Sequence, residues 1–415
     1  MGMKYVILIG DGMADYPIPE HGDKTALQIA NTPNLDFIAT AGMCGVVKTI
    51  PEGMNAGSDI ATLSILGYEP ARYYTGRGPL EAMGMHIPLD EGDVAFRCNL
   101  ITEKEGRIED YSGGHITNDE AKGLIAALNE EFSGEGIEFY PGVSYRNVLV
   151  LKSEYVSLEE GEIELGGAPP HDIIGAQVDA ELPEDELLRH ITLTSKKILD
   201  AHEINERRAA NNQRKANMVW LWSGGRKPVM PAFSELYGVS GSVISGVYLV
   251  KGVGRYVGLD VIDVPGATGY IDTNYEGKAE YAITSLKAKD FVLVHVEAPD
   301  EAAHLGDIDM KVKAIEDFDA LVAGKVLRGL EDEFADTDEG YKVLVMPDHY
   351  TPVSLKVHTK EAVPFAIYHS HHRRSSNEEG DNKTGGFDEI SAKDGRQLEA
   401  RDLMPLFFSK HFSFS

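Results

Sequence analysis

Residues 291–307 read FVLVHVEAPDEAAHLGD, in which an apolar, strand-like run leads into an acidic helix start. Pro299 suits the first turn of a helix, because the amide hydrogen that proline lacks would have no helical partner there. A helix that begins at this proline places Asp300 and His304 one turn apart on the same face. Such a spacing suits two ligands of one metal ion, although an isolated pair of this kind is also typical of an ordinary solvated helix start.

The composition is that of a soluble globular protein with two or three domains. The chain has 415 residues, of which 42% are hydrophobic and 26% are charged. A formal net charge of −28 argues against nucleic acid or an anionic membrane surface as the main partner. No apolar run approaches the length of a membrane span, and two cysteines, Cys44 and Cys98, cannot form a disulfide framework. We expect a cytoplasmic protein with two buried thiols, whose oligomeric state the sequence does not determine.

At both ends of the chain, apolar strand-like runs alternate with helices, which is the pattern of a doubly wound α/β domain. Continuous apolar runs such as KYVILIG at residues 4–10 are typical of buried parallel strands. The middle of the chain instead has short strands, among them FRCNLIT and EIELGG, with helices between them. We predict a discontinuous α/β core domain, residues 1–75 and 273–415, with an inserted α+β domain at 76–272. The polar stretch 369–386 is predicted to be a mobile loop.

Acids, histidines and a serine follow the strands of the predicted core domain. Open α/β sheets bind their ligands at the carboxyl ends of the strands, so we expect these side chains to converge. They are Asp11, Ser58, Asp300, His304, Asp348, His349 and His358. Mixed oxygen and nitrogen donors suit borderline divalent ions such as Zn²⁺ or Mn²⁺. Two such ions close together can activate a nucleophile on one side of a phosphorus atom and stabilise the leaving oxygen on the other.

Ser58 is the candidate nucleophile, at the start of a predicted helix. Metal coordination can ionise a serine hydroxyl without an adjacent base. The amide groups and the positive dipole end of the helix also favour a phosphate. Taken alone, the same serine is equally typical of a plain helix N-cap.

Nine segments of the chain resemble the cofactor-independent phosphoglycerate mutases of archaeal type, in the alkaline phosphatase superfamily. They run over nearly the whole chain and are VILIGDGMAD, NAGSDIATLSILGY, YYTGRGPLEA, FRCNLIT, WLWSGG, GLDVIDVPGATGYIDTNYEGKA, HVEAPDEAAHLGD, MPDHYTP and HTKEAVPF. The resemblance implies an alkaline-phosphatase-like core sheet with an inserted cap. It also implies interconversion of 3-phosphoglycerate and 2-phosphoglycerate, without a bisphosphoglycerate cofactor, through a phosphoserine at Ser58.

The resemblance further implies two divalent metal ions, with manganese as the expected metal, although the ligands would also accept zinc or cobalt. One ion would be held by Asp300, His304 and His358. The other would be held by Asp11, Asp348, His349 and the oxygen of Ser58.

The inserted region is expected to close over the substrate, exclude water and supply cations for its carboxylate and phosphate. Besides Ser58, His115 and Lys251 are predicted as catalytic residues. Candidate substrate contacts are Arg77, Arg97, Asn99, Arg146, His171, Asp172, Arg207, Arg208 and Arg214. For each of these side chains, a surface salt bridge or a role in a loop is the alternative.

Three other functions remain open at this point. A related phosphotransferase, such as a homoserine kinase, would have the same metal ligands, and so would a hydrolase of phosphate esters. A catalytically inactive metal-binding or interaction protein is the alternative of a different class. A dinucleotide site is not supported, because the glycines of KGVGRYVG at residues 251–258 do not match G-x-G-x-x-G.

Overall fold

The computed structural model describes residues 2–153, 166–371 and 385–409. The chain forms two compact units, a core unit of Met1–Tyr74 with Met230–Ser415 and an inserted unit of Thr75–Val229. The predicted boundary at residue 272 is therefore wrong by about forty residues, because chain beyond Val229 supplies two strands to the sheet of the core unit. Most of the predicted strand EIELGG and most of the predicted loop at 369–386 lie outside the described residues.

The strands, in chain order, are β1 (Lys4–Gly10), β2 (Met43–Lys48), β3 (Val94–Lys104), β4 (Arg107–Asp110), β5 (Ile137–Val143), β6 (Arg146–Leu151), β7 (Met218–Arg226), β8 (Gly241–Ile244), β9 (Asp260–Val261), β10 (Phe291–Val296), β11 (Tyr341–Met346), β12 (Val363–His369) and β13 (Arg396–Glu399).

The helices, in chain order, are α1 (Ala26–Ile29), α2 (Pro33–Ala41), α3 (Ser58–Ile65), α4 (Pro70–Tyr73), α5 (Arg77–Gly84), α6 (Asn118–Glu131), α7 (Val178–Glu181), α8 (Glu186–Asp200), α9 (Glu203–Ala210), α10 (Phe233–Tyr237), α11 (Tyr248–Tyr256), α12 (Tyr275–Leu286), α13 (Ala298–Leu305), α14 (Ile308–Asp317), α15 (Gly324–Phe334) and α16 (Ala400–Phe408). A π-helical segment, Phe318–Ala323, joins α14 to α15, and short 3₁₀ turns lie at Pro19–His21 and Ser391–Asp394.

The core unit is built on an eight-stranded sheet with the order β13-β2-β12-β11-β1-β10-β8-β9. Its centre is parallel, since β1 pairs in parallel with both β10 and β11, and only β12 runs against its neighbours. The central strands are the apolar runs seen in the sequence, and every residue of β10 and β11 is buried. Strands buried on both faces need such continuous apolar sequences. The predicted α/β fold with a sheet core is therefore confirmed.

The inserted unit has a separate antiparallel sheet. Strand β3 pairs with β4, β6 and β7, and β5 pairs with β6. Helices α6 and α8 pack their apolar residues on this sheet, and together they form the core of this unit.

Both cysteines are buried and free, as expected, and burial raises the pKa of the Cys44 thiol to about 12. Among the described residues, every helix is too short or too polar to cross a bilayer.

Candidate active site

Three adjacent parallel strands, β10, β1 and β11, end at one edge of the core sheet. Asp11 directly follows β1, Asp348 follows β11, and Asp300 lies in the first turn of α13 after β10. All three carboxylates are buried, at 0%, 0% and 4% exposure. The sheet topology thus brings together acids that lie far apart in the sequence, at the edge where α/β sheets bind ligands.

Asp300, His304 and His358 form one candidate metal group, since a ligand atom of each lies within 4.8 Å of the others. His304 Nε2 is 3.1 Å from Asp300 Oδ2, one helical turn away on α13. His358 Nε2 lies 3.4 Å from the other oxygen, Asp300 Oδ1, and 3.0 Å from His304 Nε2. The two imidazoles therefore meet over a single carboxylate.

Backbone carbonyl groups orient both rings of this group. His304 Nδ1 lies 2.9 Å from the carbonyl oxygen of Lys356, and His358 Nδ1 lies 3.4 Å from that of Ala56. A carbonyl oxygen only accepts, so each Nδ1 carries a hydrogen, and each Nε2 is the nitrogen that can bind a proton or a metal ion beside Asp300. Burial lowers the pKa of His304, but Asp300 outweighs it and raises the value to about 9. The site thus attracts either a proton or a metal cation between the rings.

A second group surrounds Ser58. Its Oγ lies 3.2 Å from Asp11 Oδ2 and 3.2 Å from His349 Nε2. The same His349 nitrogen is 3.3 Å from Asp348 Oδ2 and 3.5 Å from Asp11 Oδ1. Asp11, Asp300 and His349 also place ligand atoms within 4.8 Å of one another, so Asp300 links the two groups.

The donors of this second group suit a divalent cation. Asp11 Oδ1 and Asp348 Oδ2 are buried and have no hydrogen-bond donor among the described residues. Burial, with the neighbouring Asp348 charge, raises the pKa of Asp11 well above its usual range, so the pair of acids needs a compensating charge. Carboxylates with an imidazole are typical ligands of Mn²⁺ and Zn²⁺. The residues therefore fit the metal that the sequence implies.

Thr351 sets the orientation of His349. The threonine hydroxyl donates to Asp300 Oδ1 over 2.6 Å, so its oxygen accepts from His349 Nδ1 at 3.2 Å. His349 Nε2 is then left with its lone pair facing Ser58 and Asp11. Burial lowers the pKa of His349 to about 4, so the ring is neutral and able to bind a metal at neutral pH.

Gly12 makes room for both groups. Its φ is +60°, and a Cβ at this position would lie 2.5 Å from Asp300 Oδ1 and 2.6 Å from Thr351 Oγ1. Its amide also donates to Asp348 Oδ1 over 3.1 Å. Only glycine satisfies both the left-handed backbone and the close approach of these side chains.

Ser58 is the first residue of α3, and Gly57 is the N-cap. The alternative of Ser58 as a plain N-cap is therefore wrong, because its hydroxyl points to Asp11 and His349 rather than to the helix amides. The side chain is almost completely buried at the start of a helix.

Three polar residues beside this site were missed in the sequence. His295 Nε2 lies 3.0 Å from Asp11 Oδ2, and Glu297 Oε2 lies 3.9 Å from the same nitrogen. Lys278 is fully buried and donates to the carbonyl oxygen of His295 over 2.9 Å. The signal that could have found His295 is a histidine inside an otherwise apolar strand, since a buried polar group needs a partner.

The inserted unit brings three predicted arginines together. Burial, followed by the charges of Arg146 and Arg77, lowers the pKa of Arg97 well below its usual range. The indole of Trp222 lies 5.5 Å from the Arg97 guanidinium and 5.8 Å from that of Arg77. Glu81 pairs with Arg97. A guanidinium group whose pKa is lowered by burial and by neighbouring arginines is typical of a site for an anion.

Asn99 and His171 lie against the same Trp222. Asn99 Oδ1 accepts from the indole nitrogen over 3.1 Å, and the His171 ring centroid is 5.8 Å from that of the indole. Asp172 Oδ1 is 3.7 Å from His171 Nε2. Four predicted positions of the inserted unit thus gather around one tryptophan: Arg77, Arg97, Asn99 and His171. Arg146 lies close enough to Arg97 to lower its pKa.

Other predicted positions make structural contacts or lie apart. Arg208 is buried and donates to Glu120 and to the carbonyl oxygens of Gly113 and Gly114, which braces the loop that carries His115. Arg214 pairs with Asp110 over 2.8 Å.

His115 and Arg207 are exposed. Lys251 belongs to the core unit rather than to the insertion, and its Nζ lies 2.6 Å from Asp263 Oδ1.

Known proteins resemble this chain over its whole length. The model of the 2,3-bisphosphoglycerate-independent phosphoglycerate mutases matches residues 39–205. A protein of that name from Methanosarcina mazei is 49% identical over 407 residues, which is 97% of this chain and 98% of the relative. The chain belongs to this family of mutases. A probable phosphoglycerate mutase of the same kind from Geobacter sulfurreducens is 45% identical over 399 residues, or 94% of this chain and 95% of that one.

Solved structures agree with this family membership. A protein from Pyrococcus horikoshii matches with a TM-score of 0.80 and 29% identity, over 100% of both chains. A cofactor-independent phosphoglycerate mutase from Thermoplasma acidophilum matches with a TM-score of 0.61 and 28% identity, over 98% of both chains. The family resemblance stated from the sequence is confirmed, and the chain is an enzyme of the isomerase class.

Proposed function

We propose that this enzyme interconverts 3-phosphoglycerate and 2-phosphoglycerate through a phosphoserine at Ser58. The observation that carries the proposal is the position of Ser58 Oγ, which lies 3.2 Å from both Asp11 Oδ2 and His349 Nε2 in a buried group of carboxylates and imidazoles. The relatives named phosphoglycerate mutase act on a small phosphorylated molecule, which supports the substrate class.

Two divalent ions, with Mn²⁺ as the expected metal, complete the proposed site. Asp300, His304 and His358 would hold one ion, and Asp11, Asp348, His349 and Ser58 would hold the other. Bound metal supplies positive charge that lowers the pKa of the Ser58 hydroxyl and stabilises the phosphoryl oxygens.

The phosphoryl group is transferred twice, first to Ser58 and then back to the glycerate. Ser58 Oγ attacks the phosphorus of 3-phosphoglycerate, the bond to the substrate's O3 breaks, and the serine's proton ends on that oxygen. The glycerate then re-orients, and its O2 attacks phosphoserine 58 and returns a proton to Ser58 Oγ. Burial of Ser58 keeps water from the phosphoserine between the two transfers.

The inserted unit is proposed to bind the anionic groups of the substrate. Arg77, Arg97 and Arg146 are the side chains that we assign to this role, because their mutual repulsion is relieved when an anion binds. Arginine also offers paired donors that match a carboxylate or a phosphate.

The test is an assay with added Mn²⁺ that starts from 3-phosphoglycerate and couples 2-phosphoglycerate to enolase, without bisphosphoglycerate. The release of inorganic phosphate is followed in parallel. Product without phosphate supports the mutase. Phosphate release instead would indicate a hydrolase. If neither 2-phosphoglycerate nor phosphate is formed, homoserine with ATP is the next pair of substrates to test. The cytoplasmic location stays a prediction.

A further inference from the structure

A chain of hydrogen bonds connects the end of β8 to the Asp11 carboxylate through His295. The amide of Val247 donates to Ser245 Oγ over 3.1 Å. Ser245 Oγ lies 3.3 Å from His295 Nδ1, and His295 Nε2 lies 3.0 Å from Asp11 Oδ2. Ser245, His295 and Asp11 are all buried, at 1%, 0% and 0% exposure, so water does not compete for these contacts.

The partners determine which ring nitrogen carries the hydrogen. With a cation bound, the Asp11 carboxylate is ionised and only accepts, so His295 donates from Nε2 to Asp11. His295 Nδ1 is then the acceptor, and the Ser245 hydroxyl donates to it while its oxygen receives the Val247 amide. The direction of every bond in the chain follows from its two ends.

This chain leaves one oxygen of Asp11 available for a cation. Oδ2 is occupied by His295 and Ser58, whereas Oδ1 has no hydrogen-bond donor among the described residues. Loss of the His295 contact would leave Oδ2 with the donor Ser58 alone among the described residues, so the carboxylate would be held less firmly. Lys278 in turn fixes the backbone of His295 at the end of β10, through its bond to the carbonyl oxygen.

We propose that His295 is a positioning residue, which acts through its Nε2–H bond to orient Asp11 for the cation and for Ser58. The inference rests on the proposed function. It excludes the other role that geometry offers, a ligand of a third cation with Asp11 and Glu297, because a nitrogen that donates a hydrogen bond cannot also bind a metal. Groups around a metal ligand commonly change metal affinity by about 10- to 100-fold when they are removed.

The test is calorimetric titration of the metal-free, full-length protein with Mn²⁺. His295→Leu removes the donor, and His295→Gln keeps an N–H group at a similar distance from the backbone. We expect two sites in the wild type. His295→Leu should weaken one site by about 10- to 100-fold and leave the Asp300–His304–His358 site unchanged, while His295→Gln recovers most of the loss. In the mutase assay, kcat should fall in parallel with little change in KM for 3-phosphoglycerate.

Two serines of neighbouring positions provide a matched pair. Ser245→Ala removes the hydroxyl that orients His295 and should weaken the same Mn²⁺ site by a smaller factor. Ser242 lies within β8, three residues before Ser245, and its hydroxyl contacts Ser285 Oγ at 2.7 Å, so Ser242→Ala should leave both sites unchanged. The Ser245 variant also keeps the test meaningful if His295→Leu does not fold.

Three results would overturn the inference. They are unchanged Mn²⁺ affinity in His295→Leu, equal weakening of both sites, and a third equivalent of Mn²⁺ in the wild type that the variant loses. Failure of the proposed function is seen separately, as a wild type that binds Mn²⁺ at two sites but does not convert 3-phosphoglycerate.

Discussion

The Nε2 atoms of His304 and His358 lie 3.0 Å apart, and a backbone carbonyl at each Nδ1 holds both rings in this arrangement. Two imidazole lone pairs at this distance repel each other unless a proton or a cation lies between them. The two histidine rings therefore form a preorganised site for a cation.

Replacement of His304 should remove one metal ion and leave the other. His304→Ala takes away one of the two imidazoles over Asp300, and we expect bound Mn²⁺ to fall from two equivalents to about one, with kcat reduced at least about 100-fold. Metal analysis after gel filtration measures the stoichiometry. Two equivalents in this variant would contradict the assignment of His304 as a ligand.

Replacement of Gly12 by alanine, compared with the same change at Gly22, distinguishes the effect of a steric contact from that of backbone strain. Gly12→Ala places a Cβ 2.5 Å from Asp300 Oδ1 at a positive φ, whereas Gly22→Ala has a similar φ of +70° with nothing within 4 Å. Both variants should lose roughly 1 kcal/mol of unfolding free energy from strain. Only Gly12→Ala should also lose Mn²⁺ binding and activity. Similar behaviour of the two variants in metal titration and denaturant unfolding would contradict this role of Gly12.

Stability should fall as pH rises through the titration of Glu389. This side chain is buried, and burial raises its pKa from 4.5 to about 7, despite bonds from Thr25 Oγ1 and the Asp15 amide. Between these values the folded state keeps a proton that the unfolded state has lost, so the stabilisation present below pH 4.5 is lost by pH 7. The loss amounts to roughly 3 kcal/mol.

Urea unfolding of the wild type and of Glu389→Gln, from pH 5 to pH 8, measures this effect. The variant carries no titrating group at this position and should show the smaller decrease in unfolding free energy. Parallel curves for the two proteins would contradict the prediction.

Replacement of Arg146 should weaken substrate binding. Arg146→Met removes one of the guanidinium groups that we assign to the anionic substrate, and a charge-assisted hydrogen bond is worth about 1.5–3 kcal/mol. We expect KM for 3-phosphoglycerate to rise at least about tenfold. Arg107→Met, at an exposed position of the same unit, is the matched control. Equal KM values for the two variants would argue against the arginine cluster as the substrate site.

Much of the core site could be predicted because each of its residues lies in a short segment with a recognisable pattern. Asp11, Asp300 and Asp348 each follow an apolar strand, and parallel strands bring their ends to one edge without any further information. The pair Asp300 and His304 needs only the period of a helix. The convergence of these side chains therefore follows from patterns that single segments carry, whereas their division into two metal groups was implied by the family resemblance.

The missed or incorrect predictions concern residues whose roles depend on contacts between segments that are distant in the sequence. His295 was missed because the role of a histidine inside an apolar strand becomes visible only when the neighbouring strand, β1, is seen to lead into Asp11. The boundary at residue 272 was wrong because β8 and β9 are short, and only their pairing assigns them to the core sheet. In the same way, the sequence does not distinguish Arg208, which makes structural contacts, from Arg97, which lies in the arginine cluster. Only their surroundings in the folded protein do so.

The most direct test of the central claim is turnover by Ser58→Ala. The variant should still bind Mn²⁺ at the Asp300–His304–His358 site, because Ser58 is not part of that group. Loss of a nucleophile commonly lowers kcat by about 10⁴- to 10⁶-fold, so no 2-phosphoglycerate should form within the range of the enolase-coupled assay. A folded, metal-loaded variant that retains more than about a tenth of the wild-type kcat would contradict transfer through Ser58.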